Sequence, residues 1–262
     1  MAILELKGVT VRFGGIVAVN ALDLKVEEGA IHGLIGPNGA GKSTVFNVLS
    51  RYYDPAEGTV TYQGHDLLKA QTHDIIQLGI ARTFQNVELF KGLSVWDNLM
   101  VGQHHNFRYG LLASCLGTLL PSVRREERAA REKALEILSF LGIEAYKDAF
   151  PAFLPYGIQK RVEFARALVS GPRLILLDEP AAGMNAQETQ ELADLIQVMR
   201  DKYKTTVLLV EHDMSLVMAI CEQITVMEFG RKIADGTAAE VQNNPAVIKA
   251  YLGEEEEEAA HA

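Results

Sequence analysis

The sequence predicts an α/β protein with a mostly parallel sheet and a block of helices inserted into it. Three observations predict this. The runs "RLILLDEP" and "TTVLLVEHD" are continuously apolar, as strands buried on both faces require. A helix-like stretch over residues 185–202 separates them, and strand–helix–strand with such runs implies parallel pairing. From about residue 92 to 170 the periodicity turns helical throughout, while the stretches on either side keep strand character.

Taken in order, residues 3–35 carry the strand-like runs "ILELKGVTVRF", "LDLKVEE" and "AIHGLIG". "GPNGAGKST" leads into "VFNVLS", which has a helical pattern, and "GTVTYQG" reads as a further strand. "THDIIQLG" reads as a short helix closed by Gly79, and "IARTFQ" returns to strand. In "SVWDNLMVGQ", Ser94 and Asp97 stand at capping-box spacing. "VRREERAAREKALEILSFLG" puts Ala130, Ala134, Ile137, Leu138 and Leu141 on one helical face and ends at Gly142. "ITVMEFGRKIADG" reads as a late hairpin, with short helices after it at "AAEVQNN" and "PAVIKAYLG". The division expected is one domain over 1–253, with a core of 1–91 and 171–253, a helical insert of 92–170, and a disordered acidic tail over 254–262.

Composition bounds the function. The chain has 262 residues, 48% apolar and 23% charged, the balance of an ordinary globular protein. A formal net charge of -9 argues against a protein whose main task is gripping nucleic-acid phosphates. Cys115 and Cys221 have no paired spacing, which excludes a disulfide scaffold and suits a reducing compartment. The opening "MAILELKGVTVRF" lacks the pattern of a signal peptide. The longest apolar stretch, residues 111–120, falls short of the ~20 residues a bilayer needs; packing on the helical lobe is expected of it. A cytoplasmic protein that meets a membrane only through a partner is expected. His104 and His105 lack further ligands at metal spacing.

The chemistry-bearing residues fall in four places. Gly36 to Ser43 fits G-x-x-x-x-G-K-[ST], between a strand and a helix. There the backbone around Gly36, Asn38, Gly39, Ala40 and Gly41 can turn N–H groups onto phosphates; Lys42 reaches the β- and γ-phosphates, and Ser43, backed by Thr44, offers a hydroxyl to Mg²⁺. "LILLD" delivers Asp178 to a strand's carboxyl end, where open α/β sheets bind ligands, and there it would hold Mg²⁺. Glu179 is next in the chain and can orient or deprotonate an attacking water. "LPYGIQ" opens a helix with Pro155 and Gly157, an N-terminus suited to an anion. "VLLVEHD" ends a buried strand at His212.

In this order and spacing, "GPNGAGKST", "LPYGIQ", "LILLDEP" and "VEHD" resemble the nucleotide-binding subunit of an ABC transporter, over roughly residues 3–253. The resemblance implies the ABC ATPase fold: a P-loop NTPase core with an N-terminal antiparallel β subdomain and an inserted α-helical subdomain. It implies ATP and Mg²⁺ as cofactors. Two subunits would pack head to tail, so that Pro155, Tyr156, Gly157 and Gln159 of one close on the ATP held by the other. It assigns Phe13 in "VRFGG" to stacking on adenine, Gln85 in "RTFQN" to Mg²⁺ or the water, His212 to the γ-phosphate, and "AAGMN" to the dimer-contact loop, in which Asn185 replaces the usual Asp. One departure stands out. The family usually has Ser where this chain has Pro155, so a hydroxyl bond worth ~0.5–1.5 kcal/mol is missing and a weaker clamp is expected. Proline does fit a first helical turn.

"LPYGIQKRVEFARAL", "EPAAGMN", "EHDM" and "NNPAVIKAYLGE" further resemble the ATPases of branched-chain amino-acid importers, and the insert around 104–128 resembles the longer of two sibling types. This likeness implies a subunit on the cytoplasmic face of the inner membrane. It would pair with itself or a sibling, bind permease subunits, depend indirectly on an extracytoplasmic solute-binding protein, and bind no nucleic acid. ATP-driven closure of the dimer would precede in-line attack of water. Urea or amide uptake, lipopolysaccharide export, and a soluble non-transport ABC ATPase remain as alternatives.

Overall fold

The computed structural model describes residues 1–83, 85, 87–107 and 121–251. The apolar segment 111–120, the acidic tail 254–262 and Phe84 of "RTFQN" lie outside the described residues. In chain order the strands are β1 (Ala2–Phe13), β2 (Ile16–Glu27), β3 (Ile31–Ile35), β4 (Glu57–Tyr62), β5 (His65–Asp66), β6 (Ile80–Arg82), β7 (Leu174–Asp178), β8 (Thr206–Val210), β9 (Gln223–Glu228) and β10 (Arg231–Gly236). Among the described residues the α-helices include α1 (Lys42–Leu49), α2 (Val95–Gly102), α3 (Pro121–Phe140), α4 (Tyr156–Val169), α5 (Ala186–Tyr203), α6 (Met214–Ile220) and α7 (Ala238–Gln242), and residues 245–251 are helical as well. The chain divides into two compact units, one of Met1–Ile75 with Arg173–Ala262 and one of Ile76–Pro172.

The first unit holds two sheets. An antiparallel sheet runs β2-β1-β4-β5, and strands of a second run β10-β9-β3-β8-β7. In the second sheet β3 pairs parallel with both β8 and β9, β7 pairs parallel with β8, and β10 is antiparallel to β9. Every residue of β3, β7 and β8 is buried, which is why their sequences are mainly apolar rather than alternating; the polar exception inside β3, His32, has its Nε2 2.9 Å from Thr225 Oγ1. Each fully buried Leu, Ile or Val contributes roughly 1.5–3 kcal/mol, so this central triplet is the firmest part of the unit. The β9–β10 hairpin turns through Phe229 (φ 45°) and Gly230 (φ 78°), as the late hairpin reading requires. α5 begins at Asn185, whose Oδ1 accepts from the N–H groups of Gln187 (3.0 Å) and Glu188 (3.1 Å), while Glu188 Oε2 accepts from Asn185 N (2.9 Å).

"THDIIQLG" does not form the helix its pattern suggests. Thr72–Asp74 is a single 3-10 turn, succeeded by turns that end at Gly79 (φ 86°). Asp74 accepts from Gln71 N (3.1 Å) as one arm of a capping box, so the helix start is formed but only one 3-10 turn follows it.

In the second unit, α3 buries Ala130, Ala134, Ile137 and Leu138, with Leu141 just past its end, the face the periodicity marks. Gly142 (φ 66°) closes it, and Arg161 of α4 donates to the Leu141 carbonyl (3.1 Å). Ser94 caps α2, its Oγ accepting from Asp97 N (3.1 Å). α2 and α4 cross so closely at Gly102 that a Cβ there would stand 2.7 Å from the Arg166 carbonyl oxygen.

Candidate functional site

The parallel register brings the site together. Leu34 of β3 and Asp178 of β7 both pair with Val210 of β8. Three adjacent parallel strands therefore end level, and the residues just beyond each of them share one edge of the sheet. After β3 comes the glycine-rich loop, after β7 comes Glu179, and after β8 come Glu211 and His212.

The loop from Gly36 to Gly41 is shaped by positive φ at Gly36 (148°), Gly39 (76°) and Gly41 (100°). A Cβ on Gly36 would lie 2.0 Å from the Met227 carbonyl oxygen, and one on Gly41 would lie 2.5 Å from the Ala18 carbonyl oxygen. Strands β9 and β2 thus press the loop from behind, and a Gly230 N to Ala40 O bond (3.0 Å) fastens it. Asn38, Gly39 and Ser43 face solvent, Ala40 is buried, and Thr44 is half-buried. Gly41 caps α1 in a left-handed conformation with no side-chain bond to the first turn, so the helix presents its N–H end toward the concave side of the loop. Lys42 is buried, and its Nζ donates to the carbonyls of Gly36 and Pro37 (2.9 Å), reaching back across the loop. Backbone donors, a helix N-terminus and one ammonium make a receptor for a polyphosphate.

Asp178 is buried at the end of β7. Glu179 adopts a left-handed φ of 46°, rare for a residue with a Cβ, with its N–H on the Val210 carbonyl (2.9 Å). That turn takes Glu179 off the extended course of β7 that ends at Asp178. His212 is 60% exposed, with Nδ1 3.9 Å from Glu179 Oε2 and 3.8 Å from Glu211 Oε2. The imidazole is accessible to a ligand and flanked by two acids. Ser43 hydroxyl and Asp178 carboxylate are oxygen donors of the hard type that Mg²⁺ takes, so the residues present fit that ion.

Sequence reasoning does not single out Glu211. Its side chain is wholly buried and accepts three backbone N–H groups: Ala181 on Oε1 (2.7 Å), and His212 (3.0 Å) and Asp213 (3.1 Å) on Oε2. Burial pushes its carboxyl above the usual range, against the opposite pull of those donors. The available signal is an acid at the end of an apolar strand, next to the histidine.

Phe13 ends β1, is 44% exposed, and meets Tyr53 edge-on with ring centroids 5.0 Å apart. One face of an aromatic is thus steadied and reachable by a base.

The second unit carries the remaining candidates. Gln85 is exposed, and its carbonyl accepts from Lys160 Nζ (2.9 Å), a buried lysine 3.9 Å from Glu163. Pro155 is the N-cap of α4 rather than a first-turn residue. Its carbonyl accepts from Ile158 N and Gln159 N (both 3.0 Å), and its ring offers the helix no side-chain cap. The N–H groups of Tyr156 and Gly157 have no bond to other described residues. Gln159 Nε2 donates to the Leu154 carbonyl (2.8 Å), fixing the approach to the helix. A Cβ on Gly157 would meet nothing within 4 Å. Also in this unit, Glu88, Leu89, Phe90 and Arg166 line a groove of about 410 Å³. Asn98 holds its wall by accepting from Phe90 N (2.9 Å) and donating to Phe90 O (3.1 Å), and the Arg166 guanidinium lies over the Phe90 ring.

Comparison with known proteins fits this geometry. Residues 19–182, more than half of the chain, match the ABC transporter family, and residues 231–257 match the branched-chain amino acid ATP-binding cassette transporter family. The chain is an ABC transporter ATP-binding subunit, an ATPase of that family. Within the family it is 46% identical to the high-affinity branched-chain amino acid transport ATP-binding protein BraF of Pseudomonas aeruginosa, over 96% of this chain and 98% of that one. Among solved structures it is similar to the ADP conformation of MJ1267, an ATP-binding cassette of an ABC transporter (TM-score 0.83, 30% identity, 97% of this chain and 99% of that one). It is also similar to the dimeric post-hydrolysis ATP-binding cassette MJ0796 bound to ADP and Pi (TM-score 0.74, 25% identity, 90% and 98%).

Proposed function

We propose that this chain powers a branched-chain amino-acid importer, hydrolysing ATP as one half of a dimer docked on a separate membrane permease. The observation that carries the catalytic part is the level ending of β3, β8 and β7, which gathers the phosphate loop, both carboxylates and His212 on one edge. The amino-acid part rests on the similarity to BraF and on the match of residues 231–257.

The loop N–H groups and Lys42 bind the triphosphate, and Lys42 exchanges the Gly36 and Pro37 carbonyls for phosphate oxygens. Ser43 and Asp178 would hold Mg²⁺, which supplies charge neutralisation at the β- and γ-oxygens. Phe13 stacks on the adenine. Glu179 orients the attacking water and accepts its proton, and His212 donates to the γ-phosphate. Pro155, Tyr156, Gly157 and Gln159 of a second copy or a sibling close the other side, with the free N–H groups of the α4 terminus aimed at the γ-phosphate. The groove at Leu89 and Phe90 receives a short helix of the permease, its apolar floor and Arg166 suiting an amphipathic segment. No described helix is long and apolar enough to cross a membrane, so placement at the cytoplasmic face of the inner membrane comes through that partner.

Glu179→Gln tests the chemistry. ATP binding should persist, turnover should fall by about 100-fold or more, and a closed dimer should accumulate with ATP. Normal turnover in this variant would remove Glu179 as the base. Reconstitution with the copurified permease tests the assignment: ATPase stimulation by permease and amino-acid-loaded binding protein is expected, whereas stimulation by nucleic acid instead would overturn it.

A further inference from the structure

The proposed mechanism leaves the buried acid beside His212 unused. Glu211 is wholly buried, and burying a carboxylate is costly unless it is fully hydrogen-bonded. Its two oxygens divide their work. Oε1 reaches across from β8 to Ala181 N, 30 residues away in sequence, in the loop beyond Asp178 and Glu179. Oε2 takes the consecutive N–H groups of His212 and Asp213. A further bond, Glu179 N to Val210 O, joins the same two segments, and Ala182 N to Glu179 O closes the turn within the first of them. The histidine therefore leaves β8 at an angle set by the loop that also carries Glu179, and its Nδ1 stands within 4 Å of both carboxylates, Glu179 Oε2 (3.9 Å) and Glu211 Oε2 (3.8 Å).

We infer that Glu211 is a positioning residue that locks the His212 backbone to the 181–185 loop, so that the imidazole and Glu179 move as one body. This rests on the roles proposed for Glu179 and His212. The arrangement demands an acceptor at both ends. A glutamine has one oxygen, so whichever arm receives its NH₂ group faces an N–H donor. The loop from Ala181 leads directly into Asn185, the cap of α5 and part of the segment assigned to dimer contact. A displacement of that loop on dimer closure is thereby transmitted to the histidine.

The test uses the full chain and four proteins: wild type, Glu211→Gln, His212→Ala and the double variant. Glu211→Gln should lower kcat roughly 30- to 100-fold while KM for ATP stays within about twofold, because geometry is lost and not the phosphate receptor. In the His212→Ala background, adding Glu211→Gln should change the remaining kcat less than about threefold, because both variants remove one geometry. Full multiplication of the two losses overturns the inference, as does a parallel rise of KM or an unchanged kcat. If His212→Ala alone turns over like wild type, the role given to the histidine fails first and the inference falls with it. If Glu211→Gln does not fold, Glu211→Asp takes its place; it keeps the charge but cannot span both arms, and wild-type kcat in that variant also overturns the inference.

Discussion

Two glycines, one in each unit, show how differently the two halves of the proposed pocket are built. Gly36 is forced by its own surroundings: φ is 148° and a Cβ would sit 2.0 Å from the Met227 carbonyl oxygen. Gly157 is not forced by anything in its own chain. It lies in ordinary helix with open space where a side chain would go, and near it Phe153 is 86% exposed and Tyr156 46% exposed. Glycine in a helix interior costs roughly 0.5–1 kcal/mol against alanine, and at most that in a first turn, so the fold gains nothing by keeping one there. The phosphate loop is held by its own chain, whereas the α4 terminus stands open, as the proposed closure by a second subunit would need.

The largest effect should come from Gly36→Ala. The added methyl cannot be accommodated without moving β9 backbone, so about 3 kcal/mol or more of stability is lost and ATP binding falls below detection. Calorimetry and a nucleotide-binding titration read both. A variant that binds ATP normally would mean that the loop is far softer than its packing implies.

Gly157→Ala should do the reverse to stability. The helix gains up to about 1 kcal/mol, roughly 1–4 °C in Tm, and the phosphate loop of the same chain still binds ATP. Turnover should nevertheless drop by about tenfold or more, since the methyl intrudes where the second copy's triphosphate must approach. Stability and activity moving in opposite directions is the signature of a site completed from outside. Unchanged turnover would collapse the comparison, because Gly157 would then be an incidental helix glycine.

In both units the features that are local in sequence are the legible ones. "LILLD" is β7 residue for residue, and the buried face of α3 is written in the spacing of Ala130, Ala134, Ile137 and Leu138. These depend on periodicity and burial, which are local in sequence. The hidden features depend on pairs distant in sequence or on small backbone choices. The Glu211–Ala181 bond joins two loops that only the β8–β7 register brings together. The Lys160–Gln85 bond spans 75 residues. "THDIIQLG" has helical spacing and a capping box at Gln71 and Asp74, yet it makes a single 3-10 turn before the turns that end at Gly79. Asn185, in sequence a family Asp stripped of its charge, caps α5, a role at which Asn and Asp are equals. Pro155 stands one residue earlier than a first-turn proline would, at the N-cap, where its carbonyl works and its side chain does not.

That last position gives the smallest and most discriminating test. At an N-cap, serine can accept a first-turn N–H with its oxygen while its proton remains free to donate to a phosphate. Pro155→Ser gains a cap worth about 0.5–2 kcal/mol but gives up the ~0.4–1 kcal/mol by which proline restrains the unfolded chain, so Tm should hardly move. The effect should appear across the dimer instead. One added hydrogen bond of ~0.5–1.5 kcal/mol corresponds to roughly 2- to 10-fold tighter ATP-dependent dimerisation, best read in the Glu179→Gln background where the closed state persists. ATP affinity of the isolated protomer should not change, because the hydroxyl lies outside its own receptor. A gain in Tm with no gain in dimerisation would show that α4 is merely a helix with a poor cap, and that nothing anionic meets it.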